Sequence, residues 1–454
     1  MPADTPEQPD HSEHTPRAEH AGPSRRSFLT ASATAAGALA LGGMAGRARA
    51  SDPIVPSVTP RGINPPKNGE PVRLAVIGTG GMGRAHCRAI ASLKEQGLTD
   101  TNIVAVCDVN DMFAADAKQI CEQGFGGTVT TTRDHRDIVG RDDIHAVLIA
   151  SPEHWHAQHA VDALVSGKDV YVEKPMTLRL DAAMDLRRCV LDHPDRVFQV
   201  GTQMMMLPKY RDARRMIKEG RIGKPVWSQT SYCRNSYDGE WLYYEIDDAW
   251  KPGENLDWNR WLGTLGPREW DPEVYIRWRR YRDFSTGIIG DLLVHVLTPM
   301  VYALDMGWPT RVVASGGHYV DKKMENHDQV NLTVEFEGEH TLIIAGSTAN
   351  EVGLETMIRG HEANLYLGGR NCVLRPERIY ADDIDAETMQ SADIGNDQDQ
   401  LRLDFLRCVK SREKAQSDID LASKVMVIVD LATRSMWDGA AYRFDPRSMR
   451  AERV

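Results

Sequence analysis

Cysteine is sparse in this 454-residue chain and never paired. Cys87, Cys107, Cys121, Cys189, Cys233, Cys372 and Cys408 are odd in number, widely scattered and without a CxxC spacing, so neither a disulfide framework nor a zinc site is legible. Several read as small buried core residues. Basic runs are missing too, and with a formal net charge of −11 neither nucleic acid nor an anionic membrane surface is an expected partner; a small neutral or cationic ligand fits better. After the first 50 residues no segment is apolar enough to span a bilayer. Internal repeats and heptads are also absent.

What is present starts with SRRSFLTASATAAGALALGG at 24–43. Arg25 and Arg26 lead into Ser27, Phe28 and Leu29, then into an Ala- and Gly-rich run broken by Gly42 and Gly43 and closed by Ala48-Arg49-Ala50. This is the order of a twin-arginine export signal with a small-x-small cleavage site, and the short, broken run argues against a permanent anchor. Residues 1–50 are therefore expected to be a signal peptide read by the Tat export machinery, which sends the chain to the periplasm or otherwise outside the cytoplasm. The roughly 400 residues that follow suffice for two domains. Residues 51–70, SDPIVPSVTPRGINPPKNGE, are rich enough in Pro and Gly to form an extended arm.

From residue 71 apolar strands alternate with helical patterns: VRLAVIG, a helix, NIVAVCDV, a helix, then AVLIAS, DVYVEKP and VFQVGTQ with helices near 154–167 and 180–191. That rhythm predicts an α/β fold with a parallel, doubly wound sheet over 71–203. The signals in 204–395 become β-rich: VWSQTSYCRN, a Trp- and Tyr-bearing loop, then VNLTVEF and TLIIAGST as a hairpin turning at 337–339. Residues 287–304 read as a buried helix inside this second α/β domain. Helices near 399–409 and 418–435 are expected to close the chain, packing back on the core within 396–454.

The first strand ends in Gly78-Thr79-Gly80-Gly81-Met82-Gly83, a GxGxxG set between a strand and a helix. Gly78 allows the tight turn, Gly80 the close approach of a pyrophosphate, and Gly83 the packing of helix on strand. The helix N-terminus then offers free N–H groups to the phosphates. Asp108 closes the second strand about 25 residues past Gly83, near the distance at which an acid accepts hydrogen bonds from an adenosine ribose and repels a 2′-phosphate. NAD is thus favoured over NADP.

Three further segments stand at strand C-terminal ends, where open sheets bind ligands: Ser151-Pro152-Glu153-His154-Trp155-His156, Glu173-Lys174-Pro175 and Gly201-Thr202-Gln203. With the GxGxxG they resemble the Gfo/Idh/MocA oxidoreductase family, from about residue 72 to the C-terminal helices. The resemblance implies a Rossmann domain followed by an α/β domain whose open, largely antiparallel sheet supports homo-oligomer contacts, with a sugar or polyol bound between the two. It also implies that Lys174, Asp291 and His295 face the nicotinamide, and that Ser151, Pro152, His154, His156, Glu173 and Gln203 border the cofactor together with the glycine loop. Independently, residues four apart share a helix face, so Asp291 and His295 can act at one place. His295 is then the base for a hydroxyl proton, Lys174 stabilises the developing alkoxide, and Asp291 holds the imidazole or a substrate hydroxyl.

His154, His156 and Glu153 are also metal-ligand types, but no matching Cys or His cluster lies nearby in the sequence. Trp241, Trp250, Trp258, Trp261, Trp270 and Trp278 crowd the loop before the 287–304 helix, either as a carbohydrate platform or as packing. Two departures from the family pattern bear on substrate: Met204, Met205 and Met206 follow the Gln where members often carry Arg, and Thr298 stands where a second Asp is common. Free nicotinamide nucleotide is expected to be scarce outside the cytoplasm, so an exported enzyme should carry its NAD with it and cycle it in place, and the Pro-rich arm is either a cover for that nucleotide or a plain linker. Three readings follow: a sugar, glycoside or polyol dehydrogenase; a glycoside hydrolase or lyase using transient sugar oxidation; or a sugar-binding or sensory protein with a structural nucleotide. The complete lysine, aspartate and histidine set weighs against the third.

Overall fold

The computed structural model describes residues 53–454, and the signal peptide expected at 1–50 lies outside them. Strand and helix alternate through the first domain: β1 (Arg73–Ile77), α1 (Gly81–Glu95), β2 (Asn102–Cys107), α2 (Asp111–Phe125), β3 (Thr130–Thr132), α3 (His135–Val139), β4 (Ala146–Ile149), α4 (Glu153–Val165), β5 (Asp169–Val172), α5 (Leu180–Asp192) and β6 (Phe198–Val200). The six strands pair in parallel in the order β3-β2-β1-β4-β5-β6. Leu74 to Ile77 and Ala146 to Ile149 are buried throughout, as strands covered on both faces must be. The order reverses between β1 and β4, which opens a crevice at their C-terminal ends. Asn110 caps α2 by accepting from the Met112 and Phe113 N–H groups, and Gly126 ends that helix in the left-handed region.

The second domain adds α6 (Pro208–Lys218), β7 (Pro225–Cys233), α7 (Trp258–Leu262), α8 (Pro272–Ile276), α9 (Val294–Leu304), β8 (Pro309–Gly317), β9 (Gln329–Phe336), β10 (Thr341–Ser347), β11 (Met357–Gly360), β12 (Ala363–Tyr366), β13 (Cys372–Pro376), β14 (Glu387–Met389), α10 (Asp397–Ser411), α11 (Ile419–Asp438), β15 (Tyr442–Asp445) and β16 (Arg450–Arg453). Its ten strands run β14-β13-β12-β11-β7-β10-β9-β8-β15-β16, antiparallel except for the β7–β10 pair. The expected β9–β10 hairpin is there, turning at Glu339 with φ +56°.

The chain's last segment differs from a simple pair of closing helices. Leu401, Phe405, Cys408 and Val409 of α10 share a core with Leu74, Val76, Cys87 and Tyr171 of the first domain, and burying a side chain such as Phe405 is worth about 1.5–3 kcal/mol. The segment then ends in the hairpin β15–β16, which extends the second sheet through β8. The Pro-rich arm is docked rather than free: Ser57 bonds Asp162 of α4 through its N–H (2.7 Å) and Oγ (2.6 Å), the Ile54 N–H meets Asp185 of α5, and the Arg61 N–H meets the Val165 carbonyl. No described residue of the arm lines the crevice.

Candidate active site

Gly78 sits at φ +85°, and a Cβ there would lie 2.4 Å from the Ser151 nitrogen. At Gly83 a Cβ would lie 2.0 Å from the Gly78 carbonyl oxygen, while at Gly80 and Gly81 it would meet nothing within 4 Å. The first and last glycines thus let β1, α1 and the loop after β4 close on one another, and the middle two face open space. Gly83→Ala should cost about 1–3 kcal/mol and abolish NAD binding. Gly80→Ala should keep the melting temperature and lose the nucleotide, a contrast read by thermal unfolding and NAD titration.

Asp108 accepts from the Thr79 N–H (2.6 Å), the Thr79 hydroxyl (3.2 Å) and the Asn110 N–H (2.9 Å). Burial raises its pKa, and these bonds oppose the rise. The acid thereby fixes the loop's shape as well as lining the crevice. His156 joins the loops after β4 and β5, with its two ring nitrogens 2.7 Å from the carbonyls of Pro175 and Ser151. Burial lowers its pKa, so in the neutral ring only one of these contacts carries a proton.

After β5, Glu173 points back and Lys174 forward. The Glu173 carboxylate accepts from His86 Nε2 (2.8 Å), and His86 Nδ1 accepts from Arg402 Nε of α10 (2.9 Å). Burial would raise the Glu173 pKa, but the His86 bond and the nearby charges hold it at about 2. Lys174 Nζ donates to Asp291 twice, to the backbone oxygen at 2.7 Å and to Oδ1 at 2.8 Å.

Asp291 and His295 lie where a π-helical turn, Ile288–Leu293, passes into α9. This corrects the expectation of one regular helix whose face pairs them: the two side chains share no hydrogen bond. Asp291 is bound instead between Lys174 and Arg279, whose Nε donates to it at 2.9 Å. Burial pushes its pKa up, yet the two cations outweigh that and hold the carboxyl well below the usual range. His295 has no hydrogen-bond partner among the described residues. Its Nδ1 is buried, so the ring meets the crevice through Nε2. Burial, with the Lys174 charge adding to it, lowers the imidazole pKa to about 3.

A cavity of about 540 Å³ opens among these groups. Of the expected site residues, Gly78, Gly80, Gly81, Met82, Asp108, Ser151, Pro152, His156, Glu173, Lys174, Gln203 and His295 reach its wall. Thr79, Gly83, His154 and Asp291 stand behind it. His154 turns away to the Trp261 carbonyl (2.8 Å) and packs on Trp261 and Phe284, and burial lowers its pKa to about 4. Most of the tryptophans are packing: Trp250, Trp258 and Trp261 form a buried cluster with Tyr275, Trp241 is 1% exposed, and of the six only Trp261 and Trp278 touch the cavity.

Residues the sequence did not single out complete the site. His86 and Arg402 fix Glu173, while Tyr244 and Arg279 reach the cavity from the loops before the π turn. Arg279 sits in WRRYRDF among other arginines, with no spacing to distinguish it. The wall also carries Arg84, Arg133, Arg260, Lys174 and Arg279, each ion-paired with an acid that stands off the wall (Asp116, Asp111, Asp134 and Asp291), a basic lining that the net charge of the chain does not announce. The open space over Gly80, the α1 N-terminus beneath it and this basic lining fit a dinucleotide pyrophosphate.

Comparison with known proteins agrees with this layout. Residues 72–202 match the pattern described as "Oxidoreductase family, NAD-binding Rossmann fold", and residues 206–452 match "Oxidoreductase family, C-terminal alpha/beta domain", of the Gfo/Idh/MocA group. An inositol 2-dehydrogenase from Burkholderia multivorans is 30% identical over 191 residues, covering 42% of this chain and 54% of that protein. The "Glycosyl hydrolase family 109 protein 2" of Shewanella sp. (strain ANA-3) is 29% identical over 292 residues, 61% of this chain and 59% of that one. The chain thus spans little more than half the length of these relatives. In three dimensions it is similar to a levoglucosan dehydrogenase in complex with NADH and levoglucosan, with a TM-score of 0.63, 19% identity, and coverage of 82% of this chain and 99% of that one. At that identity the likeness speaks for the fold.

Proposed function

The chain belongs to the Gfo/Idh/MocA oxidoreductase family, with both domains matched, and from that premise we propose that it is an exported NAD-dependent enzyme oxidising a CH–OH group of a sugar, glycoside or polyol. One observation carries the reading: Lys174 and His295 line the same cavity as the glycine loop. Bound NAD supplies the hydride acceptor. The chain does the rest. The loop and the α1 N-terminus hold the pyrophosphate, His295 Nε2 takes the hydroxyl proton, and Lys174 Nζ, with one N–H left after its two bonds to Asp291, stabilises the oxygen as negative charge develops. Asp291 does not touch the cavity and acts by positioning Lys174 and Arg279.

Export rests on the arginine pair and the small-x-small triplet at 48–50, with the Tat machinery as partner and the periplasm as destination. Among the described residues no helix is long and apolar enough to cross a membrane. An enzyme working there keeps its NAD and regenerates it within a closed cycle. We assign contacts between copies to the open face of the ten-stranded sheet, where Val226 is 47% exposed beside the Trp227–Arg359 stack.

The test is to purify the chain without added cofactor and to measure the absorbance and mass of the nucleotide it releases. Stoichiometric NAD(H) is expected; an empty site that binds NAD weakly would overturn the preloaded cycle. The name of the Shewanella relative favours one alternative, a glycoside hydrolase that oxidises the sugar transiently and returns the hydride. Net products separate the two, a keto sugar in one case and a cleaved glycoside without net redox change in the other.

A further inference from the structure

Among the described residues Arg279 uses one of its five guanidinium N–H donors. Nε is committed to Asp291, and no described residue accepts from the two terminal nitrogens, although the side chain is only 21% exposed and lines the cavity. The guanidinium cannot easily turn away. It is tied at Nε and packs over the Trp278 ring with 4.1 Å to the centroid, with the Tyr244 ring centroid at 5.8 Å. The terminal nitrogens are open to the cavity rather than sealed in the protein, so a fixed fork without a protein acceptor marks a place for a ligand's acceptors. A planar guanidinium edge presents two parallel N–H groups, the geometry that matches the two oxygens of an oxyanion rather than a lone hydroxyl.

Lys174 is the other cation on Asp291, bound through the same Oδ1 oxygen. The carboxylate therefore sets the spacing between the group that meets the reacting oxygen and the fork of Arg279. Glu153 stands off the cavity wall and makes no hydrogen bond to that fork: it is buried and accepts from Ser285 and Thr286.

We propose that Arg279 determines specificity by reading an oxyanion carried by the sugar, a carboxylate or a phosphate ester, so that the substrates are acidic sugars. The inference rests on the CH–OH oxidation reading and narrows its substrate class.

The experiment uses the full holoenzyme with D-glucuronate, D-glucose 6-phosphate and D-glucose, following nicotinamide absorbance for turnover and Trp278-dependent fluorescence quenching for binding. One of the two anionic probes should exceed glucose in kcat/KM and in affinity by about tenfold or more, and whichever wins separates carboxylate from phosphate. Arg279→Lys keeps the charge without the fork and Arg279→Gln removes both. Each should collapse the anionic-to-neutral ratio, a readout that a merely structural loss at Asp291 would not move. Equal or tighter binding of glucose by the wild type, or a ratio unchanged in both variants, overturns the proposal. Binding of an acid without any nicotinamide reduction would leave this inference standing and sink the oxidation reading instead.

Discussion

Lys174→Met is expected to lower substrate-dependent nicotinamide reduction by about 10²–10³-fold, the loss seen when one preorganised donor to a developing oxyanion is removed. Methionine has similar length and fills the space, so the change isolates the ammonium. Asp291 keeps Arg279 as a partner at 2.9 Å, and the glycine loop is untouched, so NAD should still bind within a few-fold of the wild type. His295→Ala should cost about 10²–10⁴-fold through loss of the base. The double variant should be scarcely worse than the poorer single one, since both groups act on the same hydroxyl. The check is pre-steady-state reduction of enzyme-bound nicotinamide. Normal turnover in both single variants would falsify the assignment.

The parts of this site that were legible in the sequence are those whose physics is local. Gly78 and Gly83 are forced by backbone contacts with Ser151 and with Gly78 itself, so a GxGxxG between strand and helix announces them. The parallel sheet was legible for a similar reason, because strands such as Ala146–Ile149 are apolar on both faces. The residues of β3 are not picked out by pattern, because all three are threonine and partly exposed, which gives no apolar run. The π turn escaped because IIGDLLVHVL is apolar on every side apart from Gly290, Asp291 and His295, so its pattern does not register a widened turn. Arg402 meets His86 across 316 positions, Lys174 meets Asp291 across 117, and Ser57 meets Asp162 across 105. No spacing rule reaches that far. The Pro-rich composition gave the arm its extended form, while its docking depends on Asp162, a helix residue that looks like a surface acid in sequence.

The pH dependence of stability should be set by histidines kept neutral. Burial lowers the pKa of His154 to about 4, of His295 to about 3 and of His340 to about 4, against 6.5 for the ordinary group. Between those values and 6.5 the unfolded chain binds more protons than the folded one, so stability rises with pH through that window and is lost as pH falls from 6.5 towards 4. Each histidine contributes up to about 1.4 kcal/mol per pH unit. Glu153 works the other way, since its raised pKa of about 7 lets the folded state hold a proton that the unfolded chain releases above 4.5. One carboxyl offsets about one histidine, and since burial lowers His145 and His327 to about 4 as well, the imidazoles set the sign of the change between pH 6.5 and 5. His340 lies outside the cavity, where its Nε2 meets the Ser228 hydroxyl at 2.8 Å. Urea unfolding of the wild type and of His340→Gln at half-unit steps from pH 7 to 5 should therefore show a falling midpoint in both, and a shallower fall in the variant. A midpoint that stays level in the wild type would mean that these imidazoles take up protons in the folded chain, and the neutral His295 required of the base would go with them.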